Sequence, residues 1–332
     1  MNDILYADNY VILMEGRIIM AILRREDTFR SASAEPNEIH YYVWYDPDVS
    51  PKACVQITHG YGCYIDRYED MAKFLVENGF AVCGMDNLGH GRTAGFERLG
   101  ITPDDGADAM VEDMHTLTGI MKEQFPDTKY ILYGHSMGSF LARNYCMRWS
   151  DEIDAAVWAG TGRLPKQAER LVPVLENMCE KNGPENSDER MGKLFNAILC
   201  LGIVPPRSLF DWLSYDRANI DLYAADPYNG FAASNSLNRD LGKLAVNVSR
   251  ENWFHSIRRD LPIFIMSGDK DPVGLWSRGV RKLFLECVDY LDNMTYKIYN
   301  GRHEIHNDFC KDEVWADLLE FYNEVADGAY DR

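Results

Sequence analysis

The sequence predicts an α/β fold with a mostly parallel central sheet that is covered by helices on both faces. Short apolar runs of strand length alternate with segments of helical spacing along most of the chain, which indicates buried parallel strands. This alternation stops after residue 161 and resumes after residue 250. The stretch between these positions contains helical patches and several prolines, so we expect an α-helical cap inserted into one α/β domain.

The first half of the chain begins with two β-rich runs, at residues 18–24 and 38–45, whose β-branched and aromatic residues indicate half-buried strands. Buried strands are then predicted at residues 53–60, 80–86, 129–134 and 154–161. Helices are predicted at residues 66–78, 107–125 and 136–149. Gly79 and Pro126 fit the ends of the first two helices.

The second half of the core follows the insertion. Strands are predicted at residues 261–268 and 294–300, and helices at residues 275–288 and 314–325. We therefore divide the chain into a first core part at residues 1–161, a cap at 162–250 and a second core part at 251–332.

Composition excludes several classes of function. The 34 basic and 52 acidic residues leave a net charge of −18, so nucleic acid is not expected as a partner. We expect no signal peptide, because Glu15 and Arg17 interrupt the apolar residues near the N-terminus. We expect no membrane span, because no apolar stretch approaches ~18 residues. The eight cysteines include no Cys-x-x-Cys pair. This spacing argues against a zinc site, and without an export signal we expect reduced thiols in the cytoplasm.

Residues 134–138 (GHSMG) match the pattern Gly-x-Ser-x-Gly. The pattern alone is weak, but here it lies between a predicted buried strand and a predicted helix. In that context a sharp turn exposes the serine hydroxyl at the edge of the sheet. Ser136 is therefore the candidate nucleophile.

A serine nucleophile needs a base, and in this architecture an acid and then a histidine follow it in the chain. His303 follows one late strand, and two carboxylates, Asp269 and Asp271, follow another. We favour Asp271, because its extra reach suits a side chain that turns toward a neighbouring loop. His306 is the rival base, and His135 is expected to be a packed histidine.

Acyl transfer also needs donors for an oxyanion. One is expected to be the backbone N–H of Met137, directly after the nucleophile. The other is expected from the loop after an early strand, and we choose the N–H of Tyr61 within residues 59–62 (HGYG). A further glycine-rich piece, residues 85–93, is expected to pack beneath the site.

Five motifs occur in the right order between about residues 55 and 305: residues 59–62 (HGYG), 86–92 (DNLGHGR), 134–138 (GHSMG), 268–272 (GDKDP) and 303–304 (HE). Together they resemble the α/β-hydrolase superfamily. Within it they most resemble the monoacylglycerol lipase and lysophospholipase group, which shades into serine aminopeptidase-like hydrolases. The resemblance implies the α/β-hydrolase fold with a lid, and it supports Asp271 and Tyr61 in the roles given above.

Members of this group that act at membranes carry an apolar lid helix. Here residues 194–204 (LFNAILCLGIV) are apolar enough to form one. Core packing is the commoner explanation of such a run, so we expect these side chains to be packed.

We expect hydrolysis of carboxylic esters through an acyl-enzyme, carried out by Ser136, His303 and Asp271 without a metal or organic cofactor. Monoacylglycerols, lysophospholipids or similar esters are the preferred substrates, with transient contact between the cap and a membrane surface. Three alternatives remain open: a small-ester carboxylesterase, an aminopeptidase-like amide hydrolase and a non-catalytic ligand-binding protein on a hydrolase scaffold. The aminopeptidase would need an acidic residue in the cap, for which the candidates are Glu169, Glu176, Asp211 and Asp216.

Overall fold

The structure is a computed structural model that describes residues 10–14 and 17–331, with side chains from residue 22 onward. The strands are β1 (Tyr10–Met14), β2 (Arg17–Arg30), β3 (Glu38–Tyr45), β4 (Ala53–Thr58), β5 (Ala81–Met85), β6 (Lys129–His135), β7 (Ala155–Ala159), β8 (Ile263–Gly268) and β9 (Met294–Tyr299). Across the described residues they form one sheet, in the order β1-β2-β3-β5-β4-β6-β7-β8-β9. The predicted run at residues 18–24 lies within β2, and β1 was not predicted.

The helices follow the predicted alternation with the strands. They are α1 (Glu69–Glu77), α2 (Gly91–Ala94), α3 (Gly106–Gln124), α4 (Met137–Trp149), α5 (Leu171–Asn182), α6 (Glu189–Leu199), α7 (Arg217–Ala225), α8 (Asn235–Asn247), α9 (Arg278–Cys287) and α10 (Lys311–Ala326). No helix in the described ranges combines the length and the apolar character that crossing a bilayer requires.

In the sheet order from β5 to β9, all neighbouring strands are parallel, and their carboxyl ends lie at one edge of the sheet. Thr58 of β4 pairs with Gly134 of β6, and Gly268 of β8 pairs with Tyr299 of β9. The loops that follow these strands carry the predicted site residues, so the parallel register alone brings those loops together.

The central strands β4, β5, β6, β7 and β8 are buried on both faces, which explains why they read as continuous apolar runs. Along β6, Tyr130 and Leu132 pack into one hydrophobic cluster, while Ile131 and Tyr133 pack into a second cluster. All four side chains are at most 1 % exposed. Successive side chains of a strand point to opposite faces, so each face needs its own layer of helices.

The four helices α5–α8 lie between β7 and β8 in the chain. They reach the carboxyl edge of the sheet through hydrogen bonds to the loop after β4. The Tyr61 hydroxyl donates to Oδ1 of Asn238 at 2.8 Å, and the Tyr223 hydroxyl donates to the carbonyl oxygen of Gly62 at 2.7 Å. Two of these helices, α7 and α8, therefore contact the edge where the predicted site residues lie.

Two predictions from the sequence are wrong. The apolar run at residues 194–204 is mostly not packed, because five of its seven large apolar side chains, Leu194, Phe195, Ile198, Leu201 and Val204, are exposed. The helix predicted at residues 275–288 begins only at Arg278. Residues 275, 276 and 277 have positive φ angles between 51° and 64°, which a right-handed helix cannot accommodate.

Candidate active site

The Gly-x-Ser-x-Gly segment forms a sharp turn between β6 and α4. Ser136 has φ 56° and ψ −120°, which lies outside the helix and strand regions. A side chain on Gly138 would collide with the carbonyl oxygen of Thr58, and one on Gly134 would collide with the backbone of Gly138. The two glycines therefore allow the close approach that this strained turn requires, as the sequence predicts.

His303 and Asp271 form a buried hydrogen-bonded pair. Nδ1 of His303 lies 2.9 Å from Oδ1 of Asp271, and neither side chain is more than 2 % exposed. Asp271 also accepts hydrogen bonds from the Ser267 hydroxyl at 3.0 Å and the Val273 N–H at 2.8 Å. Burial by itself would raise the pKa of Asp271, but the neighbouring His303 and these hydrogen bonds hold it below its usual value. The ionised carboxylate accepts from Nδ1–H, which leaves Nε2 as the unprotonated nitrogen of the neutral ring.

The two rival residues lie elsewhere. Asp269 pairs with Lys270 at 2.9 Å in a partly exposed position. His306 is buried, and its ring stacks on Tyr68 with the ring centroids 4.6 Å apart. Neither ring nitrogen of His306 has a hydrogen-bond partner among the described residues. The structure therefore brings Asp271, and not Asp269, to His303.

The backbone around the serine turn also contacts His303. The Ser136 N–H donates to the carbonyl oxygen of Ala159 at 3.0 Å, and a Cβ on the next residue, Gly160, would lie 3.1 Å from Cε1 of His303. His135, directly before the serine, donates from Nε2 to the backbone carbonyl of His303 at 3.0 Å. His135 is thus a packed histidine, as predicted, and it holds the His303 loop beside the turn.

Two backbone amides, those of Tyr61 and Met137, adjoin the serine turn. A Cβ on Gly60 would stand 3.1 Å from Cβ of Ser136, so the loop after β4 lies directly against the turn. The N–H of Tyr61, the next residue, has no hydrogen-bond partner among the described residues. Met137 is the first residue of α4, so its N–H has no partner within the helix. The N-terminal end of a helix also favours negative charge.

Trp212 contacts this site although no pattern in the sequence pointed to it. Its ring lies over the His303 ring with the centroids 4.8 Å apart, and its Nε1–H donates to Oδ1 of Asn196 in α6 at 3.0 Å. The Glu304 N–H also donates to the carbonyl oxygen of Leu213 at 2.7 Å. The sequence around Trp212 has no pattern that would distinguish a tryptophan at the site from a tryptophan in the core. Only the structure identifies its position.

The histidines packed around the site should make the fold sensitive to acid. Burial lowers the pKa of His135 to about 4, and the neighbouring His303 adds to the effect. Burial also lowers the pKa of His306 well below its usual value, with His135 and Arg67 adding to the effect. From about pH 6.5 downward the unfolded chain binds protons at these rings, while the folded chain does not. The free energy of unfolding should therefore fall as the pH drops from about 6.5 to 4.

His306→Phe keeps an aromatic ring stacked on Tyr68 and removes one histidine that binds a proton in the unfolded chain but not in the folded chain. It should reduce the pH dependence of the free energy of unfolding by ~1.4 kcal/mol per pH unit, measured by urea unfolding between about pH 6 and pH 5. Burial raises the pKa of Asp86 to about 7 and that of Asp113 to about 6, and both act in the opposite direction. The variant is therefore compared with the wild type, and an equal slope for the two would contradict the prediction.

A parallel sheet whose carboxyl edge carries a serine turn beside a buried histidine–aspartate pair is the arrangement of the α/β hydrolases. The sequence pattern of the serine aminopeptidase S33 family matches residues 49–309, and the chain belongs to that family.

Similar proteins agree with this assignment. A monoacylglycerol lipase of Mycolicibacterium smegmatis is 28 % identical over 275 residues, which cover 81 % of this chain and 87 % of that protein. The monoglyceride lipase of Rattus norvegicus is 28 % identical over 269 residues, which cover 79 % of this chain and 78 % of that protein. A solved carboxyl esterase from Bacillus coagulans superposes with a TM-score of 0.85 at 31 % identity, over 91 % of this chain and 99 % of its own. The resemblance seen in the sequence is confirmed, and the protein is a hydrolase of the lipase and esterase type.

Proposed function

We propose that the protein is a serine hydrolase that cleaves carboxylic esters through an acyl-enzyme. Ser136 is the nucleophile, His303 is the general base, and Asp271 orients the His303 ring. The strongest support is the 2.9 Å hydrogen bond between Nδ1 of His303 and Oδ1 of Asp271, in a pair buried beside the serine turn. A serine hydroxyl is a weak nucleophile at neutral pH unless an adjacent base takes its proton, and this pair supplies that base.

In the first half of the reaction, Nε2 of His303 takes the hydroxyl proton as Oγ of Ser136 attacks the carbonyl carbon of the ester. Asp271 stabilises the imidazolium that forms, and the N–H groups of Tyr61 and Met137 donate to the oxyanion. The bond between the carbonyl carbon and the alcohol oxygen then breaks, and His303 gives its proton to the leaving alcohol. Water, deprotonated by His303, then attacks the acyl-enzyme. The bond between the acyl carbon and Oγ of Ser136 breaks, His303 returns the proton to Oγ, and the acid is released.

We propose monoacylglycerols, lysophospholipids or similar esters with medium to long acyl chains as substrates. The names of the relatives from Mycolicibacterium smegmatis and Rattus norvegicus support the first of these. We also propose that residues 162–250 act as a cap that lines the acyl pocket. The exposed apolar side chains of α6, Leu194 and Ile198 among them, suit transient contact with a lipid aggregate or a membrane surface.

An aminopeptidase-like activity has less support, because three of the four candidate acidic residues of the cap are engaged elsewhere. Glu176 pairs with Lys243 at 3.2 Å, and Glu169 is exposed. Asp211 accepts the Arg207 N–H at 2.6 Å, and Asp216 caps α7 by accepting the Ala218 N–H at 2.9 Å. Three of the four candidate carboxylates therefore already have a partner within the cap.

The test of the substrate proposal is the rate on nitrophenyl esters of increasing acyl length and on an emulsified monoacylglycerol. We expect kcat/KM to rise with chain length, because each buried methylene contributes ~0.8 kcal/mol to binding of the acyl chain. A maximum at acetate would overturn the lipid proposal and favour a small-ester carboxylesterase. Turnover of amino-acid amides at rates similar to those of esters would favour the aminopeptidase.

A double variant tests the proposed surface contact of the cap separately from binding of the acyl chain in its pocket. The double change Leu194→Asp and Ile198→Asp places charges on the exposed apolar face of α6. It should slow hydrolysis of the emulsified monoacylglycerol about tenfold or more, and it should leave the rate on a soluble butyrate ester within about threefold. An equal loss on both substrates would contradict the proposed surface contact.

We further propose that the protein works in the reducing environment of the cytoplasm on small-molecule substrates. All eight cysteines are free of disulfides, and the net charge of −18 disfavours nucleic acid. The proposed chemistry uses side chains and backbone amides alone and calls for no cofactor. Among the described residues no group of three or more His, Cys, Asp or Glu side chains could hold a metal ion. A disulfide found in the protein isolated from its cells would contradict the proposed compartment.

A further inference from the structure

The loop after β5 takes no part in the chemistry proposed above. It nevertheless contacts the loop after β4, residues 59–65 (the 59–65 loop), at three points. Its buried polar side chains are Asp86, Asn87 and His90. At one end of the 59–65 loop, the Asn87 N–H donates to Nε2 of His59 at 2.9 Å. At the other end, the Asp86 carboxylate accepts the Ile65 N–H at 3.0 Å. The loop held in this way carries the Tyr61 amide.

His90 makes the contact in the middle. Its Nδ1 lies 2.9 Å from the carbonyl oxygen of Leu88, which can only accept, so Nδ1 carries the hydrogen. Nε2 therefore holds a lone pair, and it accepts the N–H of Gly62 at 3.3 Å. Burial lowers the pKa of His90 to about 4, so the ring stays neutral and keeps its acceptor at neutral pH.

Gly62 directly follows Tyr61, and the peptide group between them is planar. His90 fixes the N–H of this group. The carbonyl oxygen of Gly62 accepts from the Tyr223 hydroxyl at 2.7 Å and the Gly230 N–H at 2.9 Å. Gly62 has φ +67°, and a glycine backbone has more conformational freedom than that of other residues because it lacks a Cβ. These contacts therefore supply the restraint that a side chain would otherwise give. Only the φ and ψ rotations of Tyr61 separate the restrained group from the Tyr61 N–H.

We propose that His90 is a positioning residue for the oxyanion site. By accepting the Gly62 N–H, it holds the Tyr61 amide in the orientation that the tetrahedral intermediate needs. This inference rests on the proposed function, since it requires an oxyanion. Such donors stabilise the transition state only when they are aimed in advance at the developing charge. A small rotation of the amide should therefore lower kcat more than it alters substrate binding.

The test compares His90→Leu, His90→Gln and the wild type on one soluble nitrophenyl ester. His90→Leu removes the acceptor and should lower kcat about 10- to 100-fold, with KM changed less than about threefold. Affinity for a trifluoromethyl ketone, whose serine adduct carries an oxyanion, should fall by the same factor. His90→Gln places Oε1 near the position of Nε2 and should recover at least about threefold of the loss. His90→Asn, which is too short to reach Gly62, replaces His90→Leu if that variant does not fold.

The matched control is Thr93→Val in α2, directly after this loop. The Thr93 hydroxyl donates to the carbonyl oxygen of Asp86 at 2.7 Å and accepts the His40 N–H at 2.9 Å, on the side away from the 59–65 loop. We expect it to lower the melting temperature while kcat stays within about threefold of the wild type. Wild-type kcat and ketone affinity in His90→Leu would overturn the inference, as would an equal loss of kcat in Thr93→Val. A wild type without ester hydrolysis would instead overturn the proposed function, so the two failures are distinguishable.

Discussion

Ser136→Ala should lower kcat for ester hydrolysis by about 10⁴- to 10⁶-fold and leave the fold unchanged, because alanine lacks the attacking oxygen. Serine and alanine carry the same Cβ, so the strain at φ 56° is the same in both proteins. The measurement is the mass of the intact protein after reaction with a fluorophosphonate, together with the rate on a nitrophenyl ester. One adduct on the wild type and none on the variant is the expected result.

Ser150→Ala is the control for this experiment. Ser150 is a buried serine just beyond the other end of α4, where its hydroxyl accepts the Arg258 N–H at 2.9 Å. This variant should be labelled like the wild type. An adduct that persists in Ser136→Ala would show that another group is the nucleophile. A wild type that forms no adduct would favour the ligand-binding protein on a hydrolase scaffold.

Asp271→Asn should lower kcat by about 10³- to 10⁴-fold, the second large effect. The amide has no charge to stabilise the imidazolium of His303, and it can donate to Nδ1, which favours the wrong tautomer of the ring. KM should change much less, because Asp271 is buried behind His303 and is not expected to touch the substrate. Steady-state kinetics on one soluble ester measures both constants.

Asp269→Asn is the matched variant, two residues away in the same loop. Asp269 pairs with Lys270 near the surface, so the loss of its charge should alter kcat less than about threefold. Equal losses in the two variants would mean that the effect comes from disturbance of the loop. A larger loss in Asp269→Asn would reassign the acid.

Most of the core fold could be predicted because its signals are local. The apolar runs of β4, β5 and β6 mark strands that are buried on both faces, and the helices between them carry helical spacing. The start of α9 could not be predicted. Its spacing is helical from residue 275, but the backbone at residues 275–277 takes positive φ angles. The exposed face of α6 was missed for a related reason, since an apolar face looks the same in a sequence whether or not another element covers it.

The sequence by itself determined the α/β class, the place of the helical insertion and the order in which serine, acid and histidine follow their strands. These features depend on residue type and spacing within single elements, which the chain shows directly. Only the tertiary structure decided that Asp271 rather than Asp269 meets His303, that Trp212 lies over that ring, and that His90 accepts the Gly62 N–H. These contacts join residues that are distant in the chain, and their geometry depends on how neighbouring loops pack at the edge of the sheet.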